Sequence, residues 1–354
     1  MGLRIALIAS ARFPVREPFA GGLEAHTWAL ARALTSRGHH VGLFAAPGSD
    51  PTLHLHELPV GTVTLSSAAR ADISMPHPVW MAEHHAYLQL MLDLARDGNQ
   101  QFDIVHNNSL HYLPVAMAAA VPLPVVTTLH TPPTPWLESA IQTQDPCPVT
   151  FAAVSTHTAH AWQASVPAAR VVRNGVDTRL WSQGPGGNDL VWSGRIVPEK
   201  GPHLAVEAAR KAGFALRLAG PVGDERYFTE YVKPLLGDGI DYVGHLNQHR
   251  LAQLVGSAAA VLVTPCWDEP YGLVVAEALA CGTPVCGFDR GALREILTSA
   301  CGRLAPADDV AALADLLPET VQLDRGAARK RAEEFCSLES MAGSYSALYE
   351  ELLG

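Results

Sequence analysis

The amino-acid sequence predicts an α/β protein built from two Rossmann-like, doubly wound domains that face each other across a cleft. The chain has 354 residues, which is more than one hydrophobic core usually organises, so two domains are expected. Short apolar runs alternate with helical patterns in both halves, and this alternation is typical of βαβ units with a parallel sheet. A stretch rich in turn-forming residues separates the two halves.

The first half shows the alternation from its start, with an apolar run at 5–9, a helical pattern at 25–36 and a second run at 41–45. Four further candidate strands follow, at 104–106, 125–129, 151–154 and 171–172. Several of these strands end in polar residues. Because ligands of open α/β sheets gather at the carboxyl ends of the strands, those polar residues are candidates for a site.

Turn chemistry at Arg173–Asp177 and Gln183–Asn188 places the domain boundary. We therefore expect a first domain over 1–178, a second over 179–336, and a helix over 337–354 that crosses back to the first domain. The five apolar runs of the second half are 190–193, 216–219, 242–243, 261–264 and 285–288.

Composition excludes several classes of function. The net charge of -10 argues against nucleic-acid binding, which needs a basic surface. No run of eighteen apolar residues occurs, so no membrane span is predicted, although peripheral membrane contact stays open. The six cysteines form no CxxC pair and are typical of reduced thiols, which favours a cytoplasmic protein. The oligomeric state is not predicted.

The strongest local signal is the segment Glu269–Glu277, which follows an apolar strand and enters a helix. Gly272 permits close backbone approach, and the N–H groups of the helix start suit a phosphate or a polar sugar face. Glu269 in the loop and Glu277 in the helix are candidates for hydroxyl binding. The alternative is that Glu269 lies in the first helical turn only because an acid there interacts favourably with the helix dipole, and that Glu277 is a solvated helix residue. The apolar surroundings of Glu277 favour the site, since a buried acid needs a partner.

Two cations, Arg195 and Lys200, lie between a strand end and the next helix. A diphosphate that is bound without a metal needs such neutralisation, with arginine offering a planar fork and lysine a compact charge. Isolated residues of these types are usually solvated surface cations. Their position before a helix N-terminus favours the anion site.

In the first half, Gly21 and Gly22 follow the first strand and enter a helix, so their backbone N–H groups could contact a phosphate. The spacing matches neither GxGxxG nor GxxxxGK[ST], which argues against a dehydrogenase and a phosphoryl-transfer enzyme. His130 ends an apolar strand and is a candidate sugar contact or proton relay. For His106, at another strand end, a hydrogen-bonded structural role is favoured.

The segment 75–87 contains His77, His84 and His85, which suggests metal binding at first sight. Adjacent histidines point to different faces of a helix, and neither an HExxH motif nor a cysteine partner is present. We therefore predict no metal site and assign these histidines to an acceptor-lining or partner-facing segment.

Taken together, these residues resemble glycosyltransferase family 4, the retaining transferases of the GT-B fold, over most of the chain. The resemblance lies in the Gly-Gly loop, the Asn174–Asp177 hinge, the Arg195 and Lys200 pair, and Glu269 with Glu277. It implies the following donor-binding set: Gly21, Gly22, Arg195, Lys200, His245, Leu246, Glu269, Tyr271, Gly272, Leu273, Val274 and Glu277. It also implies a catalytic set of His130, Glu269, Arg195 and Lys200.

The resemblance further implies a hexose-type sugar donor linked to a nucleoside diphosphate, with UDP favoured and GDP-mannose next. No cofactor or metal is then required, because preorganised cations and helix N–H groups stabilise the charge that develops on the leaving diphosphate. The acceptor, a glycan, lipid or small metabolite, stays open. Another GT-B-type enzyme, such as a sugar-nucleotide epimerase or a glycan phosphorylase, and a non-catalytic sugar-nucleotide-binding subunit are the alternatives.

One departure from the family pattern is Ala292, where a second glycine is usual, and its methyl group is expected to crowd a phosphate-side loop. The segments 52–100 and 132–148 contain no donor-side motif. We expect these segments to encode the choice of acceptor.

Overall fold

The computed structural model describes residues 2–61 and 63–354, so Thr62, within the segment 52–100, lies outside the described residues. The chain forms two parallel β-sheets. Each sheet has one buried apolar cluster on either face. Because helices cover both faces of a parallel sheet in doubly wound folds, the predicted class of two Rossmann-like α/β domains is confirmed.

The N-terminal sheet has seven strands, β1 (Arg4–Ile8), β2 (His40–Ala45), β3 (Leu55–Glu57), β4 (Ile104–Asn107), β5 (Val125–Leu129), β6 (Val149–Ala153) and β7 (Arg170–Val171). Its helices are α1 (Gly22–Ser36), α2 (Ser67–Ala71), α3 (Pro78–Gln101), α4 (Leu113–Ala116), α5 (Pro135–Gln142) and α6 (Thr156–Ala161). The strand order β3-β2-β1-β4-β5-β6-β7 reverses direction between β1 and β4. Such a reversal opens a crevice at the carboxyl ends of the strands.

The C-terminal sheet has six strands, β8 (Leu190–Ser193), β9 (Leu216–Ala219), β10 (Ile240–Tyr242), β11 (Ala260–Val263), β12 (Val285–Phe288) and β13 (Gly302–Ala305). The later helices are α7 (Pro202–Ala212), α8 (Glu225–Tyr227), α9 (Gln248–Gly256), α10 (Leu273–Ala280), α11 (Leu293–Ile296), α12 (Val310–Thr320), α13 (Arg325–Phe335) and α14 (Leu338–Leu353). The order β10-β9-β8-β11-β12-β13 has its reversal between β8 and β11. The segments that follow these two strands carry the two C-terminal motifs.

The last helix, α14, packs against the first domain rather than the second. Its apolar face enters the same buried cluster as β1 and α1, through Leu338, Met341, Tyr345, Leu348 and Tyr349. Burial of several such side chains stabilises the contact by a few kcal/mol, at about 1.5–3 kcal/mol for each large one. The two domains are therefore linked at both the 172–189 connection and α14.

His106 at the end of β4 is completely buried beneath α14. Its Nδ1 lies 2.6 Å from the Tyr349 hydroxyl, and its Nε2 lies 2.8 Å from Oγ1 of Thr128. Burial lowers the pKa of this imidazole to about 3, so the ring is neutral. Both nitrogens are used in structural hydrogen bonds, which confirms the structural role favoured for His106.

The longest helix is α3, and it is amphipathic. Tyr87, Leu90 and Met91 lie in the core of the first domain, whereas Leu92 is 52% exposed. Proline at the first helical position is compatible with the free N-terminal N–H groups. In the described parts of the chain, no helix is both long enough and apolar enough to span a bilayer.

Candidate functional site

A cavity of about 310 Å³ opens between the two domains at the carboxyl ends of both sheets. All of the residues predicted for donor binding and catalysis line it: Gly21, Gly22, His130, Arg195, Lys200, His245, Leu246, Glu269, Tyr271, Gly272, Leu273, Val274 and Glu277. The structure thus brings these residues to one place, and their individual roles stay predictions.

The loop after β11 leads into α10 through Gly272, whose φ of +97° lies in the left-handed region. Glycine reaches this region without the steric cost that a Cβ atom imposes. A Cβ at this position would also lie 3.3 Å from the Leu293 side chain. The sharp turn aims the free N–H groups of the first turn of α10 at the cavity, where they form an anion-binding end.

Lys200 and Glu269 form an ion pair inside the cavity, with Nζ 2.5 Å from Oε2. The indole N–H of Trp267 donates to the same carboxylate oxygen at 3.2 Å. The ammonium also lies 5.1 Å from the centre of the Trp267 ring, within cation–π range. The side chains of Lys200 and Glu269 are only 23% and 15% exposed, so both are preorganised at the cavity wall.

Close packing of two loops brings the lysine to the glutamate. Gly201, with φ +60°, follows Lys200 and precedes α7. A Cβ on Gly201 would lie 2.3 Å from the carbonyl oxygen of Thr264, so only glycine permits this approach. Oγ1 of Thr264 donates to the Gly201 carbonyl at 2.8 Å. The turn after β8 is therefore fixed against the loop after β11.

The start of α1 faces the second domain across the cleft. A Cβ on Gly22 would lie 3.2 Å from Cδ1 of Leu273, and one on Gly21 would lie 3.8 Å from Cδ of Arg195. Arg195 is exposed, and its charge lowers the pKa of Glu24, although burial has the larger effect and raises it. Two helix N-termini and two cations therefore surround this part of the cavity.

Glu277 projects from α10 and forms no side-chain hydrogen bond or ion pair with any described residue. Burial raises the pKa of its carboxyl group to about 7. The residue also borders a second cavity, of about 550 Å³, which runs along α1 and α14. Glu277 is only partly exposed, and an acid in such surroundings without a protein partner is costly, so a hydroxyl-bearing ligand would satisfy it.

His130 ends β5 and lies beside a second imidazole, His26 of α1. Its Nε2 lies 2.6 Å from Oδ1 of Asn108, and the two rings meet edge to face at 4.9 Å. Burial, followed by the neighbouring His26 and His106, lowers the pKa of His130 well below its usual range. A neutral ring whose Nε2–H donates to Asn108 keeps Nδ1 as an acceptor for a hydroxyl group.

His26 follows the Gly-Gly loop and is a site residue to which the sequence analysis assigned no role. It is 2% exposed, it lines the cavity, and burial lowers its pKa to about 4. Neither ring nitrogen has a hydrogen bond of good geometry, although the Asn108 side chain lies near enough to act on the pKa in the opposite sense. Its spacing of four residues from Gly22 places both on one face of α1, a signal that could have identified it.

The side chains of two predicted donor-binding residues, His245 and Tyr271, contact other protein groups. Nε2 of His245 lies 2.9 Å from the Phe19 carbonyl oxygen of the opposite domain. The Tyr271 ring is buried beside Cys336, whose proximity helps to raise the pKa of its hydroxyl after burial itself. Tyr271 therefore presents its backbone to the cavity.

The first domain also contacts the loop that bears Glu269. Oγ of Ser155 donates to the Pro270 carbonyl oxygen at 2.6 Å. The Glu295 carboxylate accepts hydrogen bonds from the backbone N–H groups of Thr156 and His157 at 3.0 and 2.6 Å. Charge-assisted bonds of this kind hold the N-terminus of α6 against the second domain.

The three histidines predicted for the acceptor side, His77, His84 and His85, do not line the cavity. His77 precedes α3 and its Nδ1 accepts from the backbone N–H of Val79 at 3.3 Å. The His84 ring stacks on Trp80 at 5.1 Å. Across residues 2–61 and 63–354, no three metal-binding side chains cluster.

The expected crowding at Ala292 does not occur. Its side chain is completely buried, and its N–H donates to the Glu269 carbonyl at 2.8 Å, so the methyl group packs in the core. The close approach is at Gly291, with φ +61°, where a Cβ would lie 2.2 Å from the Glu269 carbonyl oxygen. The steric requirement for glycine therefore lies at Gly291, and position 292 accepts an alanine.

Two family models match the chain in succession. The model described as Glycosyltransferase Family 4 matches residues 20–180, and the model described as Glycosyl transferases group 1 matches residues 182–335. A glycogen synthase from Mycobacterium tuberculosis is 28% identical, with 88% of this chain and 85% of that protein covered. A phosphatidyl-myo-inositol mannosyltransferase from Mycobacterium leprae is 27% identical, with 91% and 88% covered.

Solved structures share the fold over the whole chain. Sucrose-phosphate synthase from Thermosynechococcus elongatus superposes with a TM-score of 0.77 at 20% identity, covering 99% of both chains. Anabaena HepE, solved in complex with UDP-glucose, gives a TM-score of 0.76 at 17% identity, covering 99% of this chain and 100% of that one. These superpositions show that the chain has the GT-B fold.

Proposed function

Because the chain belongs to glycosyltransferase family 4, we propose that it transfers a hexose-type sugar from a nucleoside diphosphate sugar to an acceptor hydroxyl, with retention of configuration and without a metal ion. The observation that supports this proposal most is the ion pair of Lys200 and Glu269 beside the N-terminus of α10. The Lys200 ammonium is suited to a diphosphate and the Glu269 carboxylate to a sugar hydroxyl, and the two groups lie at hydrogen-bonding distance from each other.

In the proposed complex, Lys200, Arg195 and the N–H groups at the start of α10 bind the diphosphate. The N-terminus of α1 at Gly22 contacts it from the opposite domain. Helix ends and fixed cations provide positive potential without any need to strip water from a metal ion. Together they replace the charge that a divalent cation supplies in other transferases.

Two carboxylates bind hydroxyl groups in this proposal. Glu277 accepts hydrogen bonds from the ribose hydroxyls, which would satisfy an acid that has no protein partner. Glu269 binds a hydroxyl of the transferred sugar while Lys200 turns to the phosphate. The loop with His245 and Leu246 lies against the nucleobase.

In the reaction, the bond between the anomeric carbon and the diphosphate oxygen breaks, and the acceptor oxygen forms a new bond on the same face of the sugar. The acceptor proton passes to the departing diphosphate oxygen. His130, neutral at physiological pH, accepts a hydrogen bond from a hydroxyl of the sugar or acceptor and orients it. No carboxylate nucleophile is needed, because charge develops mainly on the diphosphate.

UDP is the preferred nucleotide in this proposal, and GDP-mannose is the second candidate. The similarity to Anabaena HepE, which was solved with UDP-glucose, supports UDP. The mannosyltransferase relative is compatible with the second candidate.

A thermal-shift screen of UDP, GDP, ADP and dTDP tests the donor, because a ligand that binds the native state raises its melting temperature. We expect UDP to give the largest shift. Proton NMR of the products formed from the matching nucleotide sugar then shows the anomeric configuration. An inverted product would contradict retention, and a free epimerised nucleotide sugar would favour an epimerase. Nucleotide binding without turnover against any acceptor would favour a non-catalytic subunit.

A further inference from the structure

A separate cavity of about 420 Å³ lies on the N-terminal side of the Gly-Gly turn. We name it the aromatic groove and define it by Trp80 of α3, Tyr112 before α4, Trp136 of α5, Arg12 and Glu83. Trp80 and Trp136 come from the two segments without any donor motif, 52–100 and 132–148. The groove is therefore lined by residues from the two segments that the proposed donor site does not use.

The aromatic rings of the groove pack against one another. Trp136 stacks on Tyr112 with centroids 5.3 Å apart and planes at 25°. Trp80 lies 6.1 Å from Trp136 and is supported from behind by His84. Trp136 is nevertheless 59% exposed. Water contact over a large flat ring is unfavourable, so rigid aromatic faces held open to a cavity indicate a ligand surface.

The groove adjoins the cavity between the domains. Gly21, Gly22, Leu23, Leu110 and Arg195 line both of them. A molecule lying on Trp136 would therefore extend past the start of α1 to the place where the sugar is proposed to be transferred. This position is that of an acceptor rather than of the donor nucleotide.

Charge in the groove is balanced. Arg12 lies 3.8 Å from the Glu83 carboxylate, and Arg195 faces the Glu24 side of the Gly-Gly turn. The lining thus has two arginines and two glutamates. A phosphate-bearing ligand would need uncompensated cations, whereas carboxylates accept hydrogen bonds from neutral hydroxyl groups.

We propose that the aromatic groove binds a neutral pyranose ring of an oligosaccharide or glycoside acceptor. The apolar C–H face of the ring packs on Trp136, and Glu83 accepts a hydrogen bond from an equatorial hydroxyl. This inference rests on the proposed transferase function, since it assigns the acceptor class of the same site. Flat aromatic faces with carboxylates at the edge match a sugar, which has apolar faces and a polar rim.

Saturation-transfer NMR tests the proposal with maltotriose, cellotriose and myo-inositol 1-phosphate as probes. We expect ring protons of at least one neutral trisaccharide to receive saturation from the wild-type protein. The Trp136→Ala variant should weaken this binding about tenfold, equivalent to about 1.4 kcal/mol, and Trp136→Phe should retain most of it. The control is Tyr231→Ala, which removes a ring that is 56% exposed in the second domain and should change nothing.

Two outcomes would overturn the inference. In one, neither trisaccharide binds although UDP still raises the melting temperature. In the other, inositol phosphate binds and depends on Arg12 but not on Trp136, so the acceptor is anionic. Failure of UDP to bind any variant, with trisaccharide binding intact, would instead contradict the proposed donor site while it supports the groove.

Discussion

The two sides of the cleft use different physical means to form a binding surface. The second domain presents a partly buried ion pair in the loops that follow β8 and β11, together with the N-terminus of α10 and, within that helix, an acid that has no partner among the described residues. The first domain presents a wall of stacked aromatic rings with balanced charge, taken from α3, α5 and the segment before α4.

This difference matches two kinds of ligand chemistry. A diphosphate is small and highly charged, so a few fixed cations and N–H groups can bind it. A neutral acceptor has no charge to recognise and is bound through shape and ring faces. The donor side should therefore respond to charge changes, and the acceptor side should respond to loss of aromatic area.

The largest effect is expected for Lys200→Ala, which removes the charge beside the diphosphate. We expect turnover of the nucleotide sugar to fall about 10²–10³-fold, as for the loss of one preorganised group that stabilises developing charge. Lys211→Ala, at the far end of α7, is the matched control and should leave turnover unchanged. Coupled detection of released nucleotide measures both, and equal rates for the two variants would contradict the role of Lys200.

A smaller effect is expected for a substitution that disturbs the packing of the Glu269 loop in the second domain. In Gly291→Ala, the new Cβ would lie 2.2 Å from the Glu269 carbonyl oxygen, so we expect the free energy of unfolding to fall by about 2–3 kcal/mol. Gly213→Ala shares the positive φ but meets no atom within 4 Å, and should cost about 1 kcal/mol. Chemical denaturation of both variants isolates the clash, and equal losses would show that the Glu269 loop tolerates the methyl group.

A smaller effect concerns pH and Glu277. Because burial raises its pKa to about 7, its protonated form favours folding at low pH, and this contribution is lost as the pH rises through about 7. Ribose hydroxyls donate best to the ionised form, so affinity for UDP-glucose should increase from pH 6 to pH 8 by up to about tenfold. In Glu277→Gln the increase should vanish. Calorimetric titration across this range measures it, and identical profiles for the two proteins would contradict the ribose contact.

Much of the donor side could be predicted from the sequence because its groups lie in two short motifs. The segment 193–201 connects the end of β8 to α7, and the segment 269–277 runs from the loop after β11 into α10, each through a glycine. Local rules place such residues at the edge of a parallel sheet. The contact between Lys200 and Glu269 depends on the close packing of Gly201 against Thr264, which no local pattern reveals.

The acceptor side could not be predicted in the same way. Trp80, Tyr112 and Trp136 belong to separate helical segments, and only tertiary packing stacks their rings. His77, His84 and His85 were assigned to an acceptor-lining or partner-facing segment, yet His84 supports Trp80 from behind and His77 precedes α3. The contacts of His130 with His26 and Asn108 were not predicted, because they join β5 to α1 and to the segment after β4, which only the tertiary fold brings together.

Calorimetric titration of UDP in excess EDTA tests most directly whether two cations and a helix end suffice to bind the diphosphate. We expect wild-type protein to bind UDP in the chelator with an affinity that added magnesium does not increase, and we expect Arg195→Ala and Lys200→Ala each to weaken this binding. Binding that appears only after magnesium exceeds the chelator would contradict this expectation.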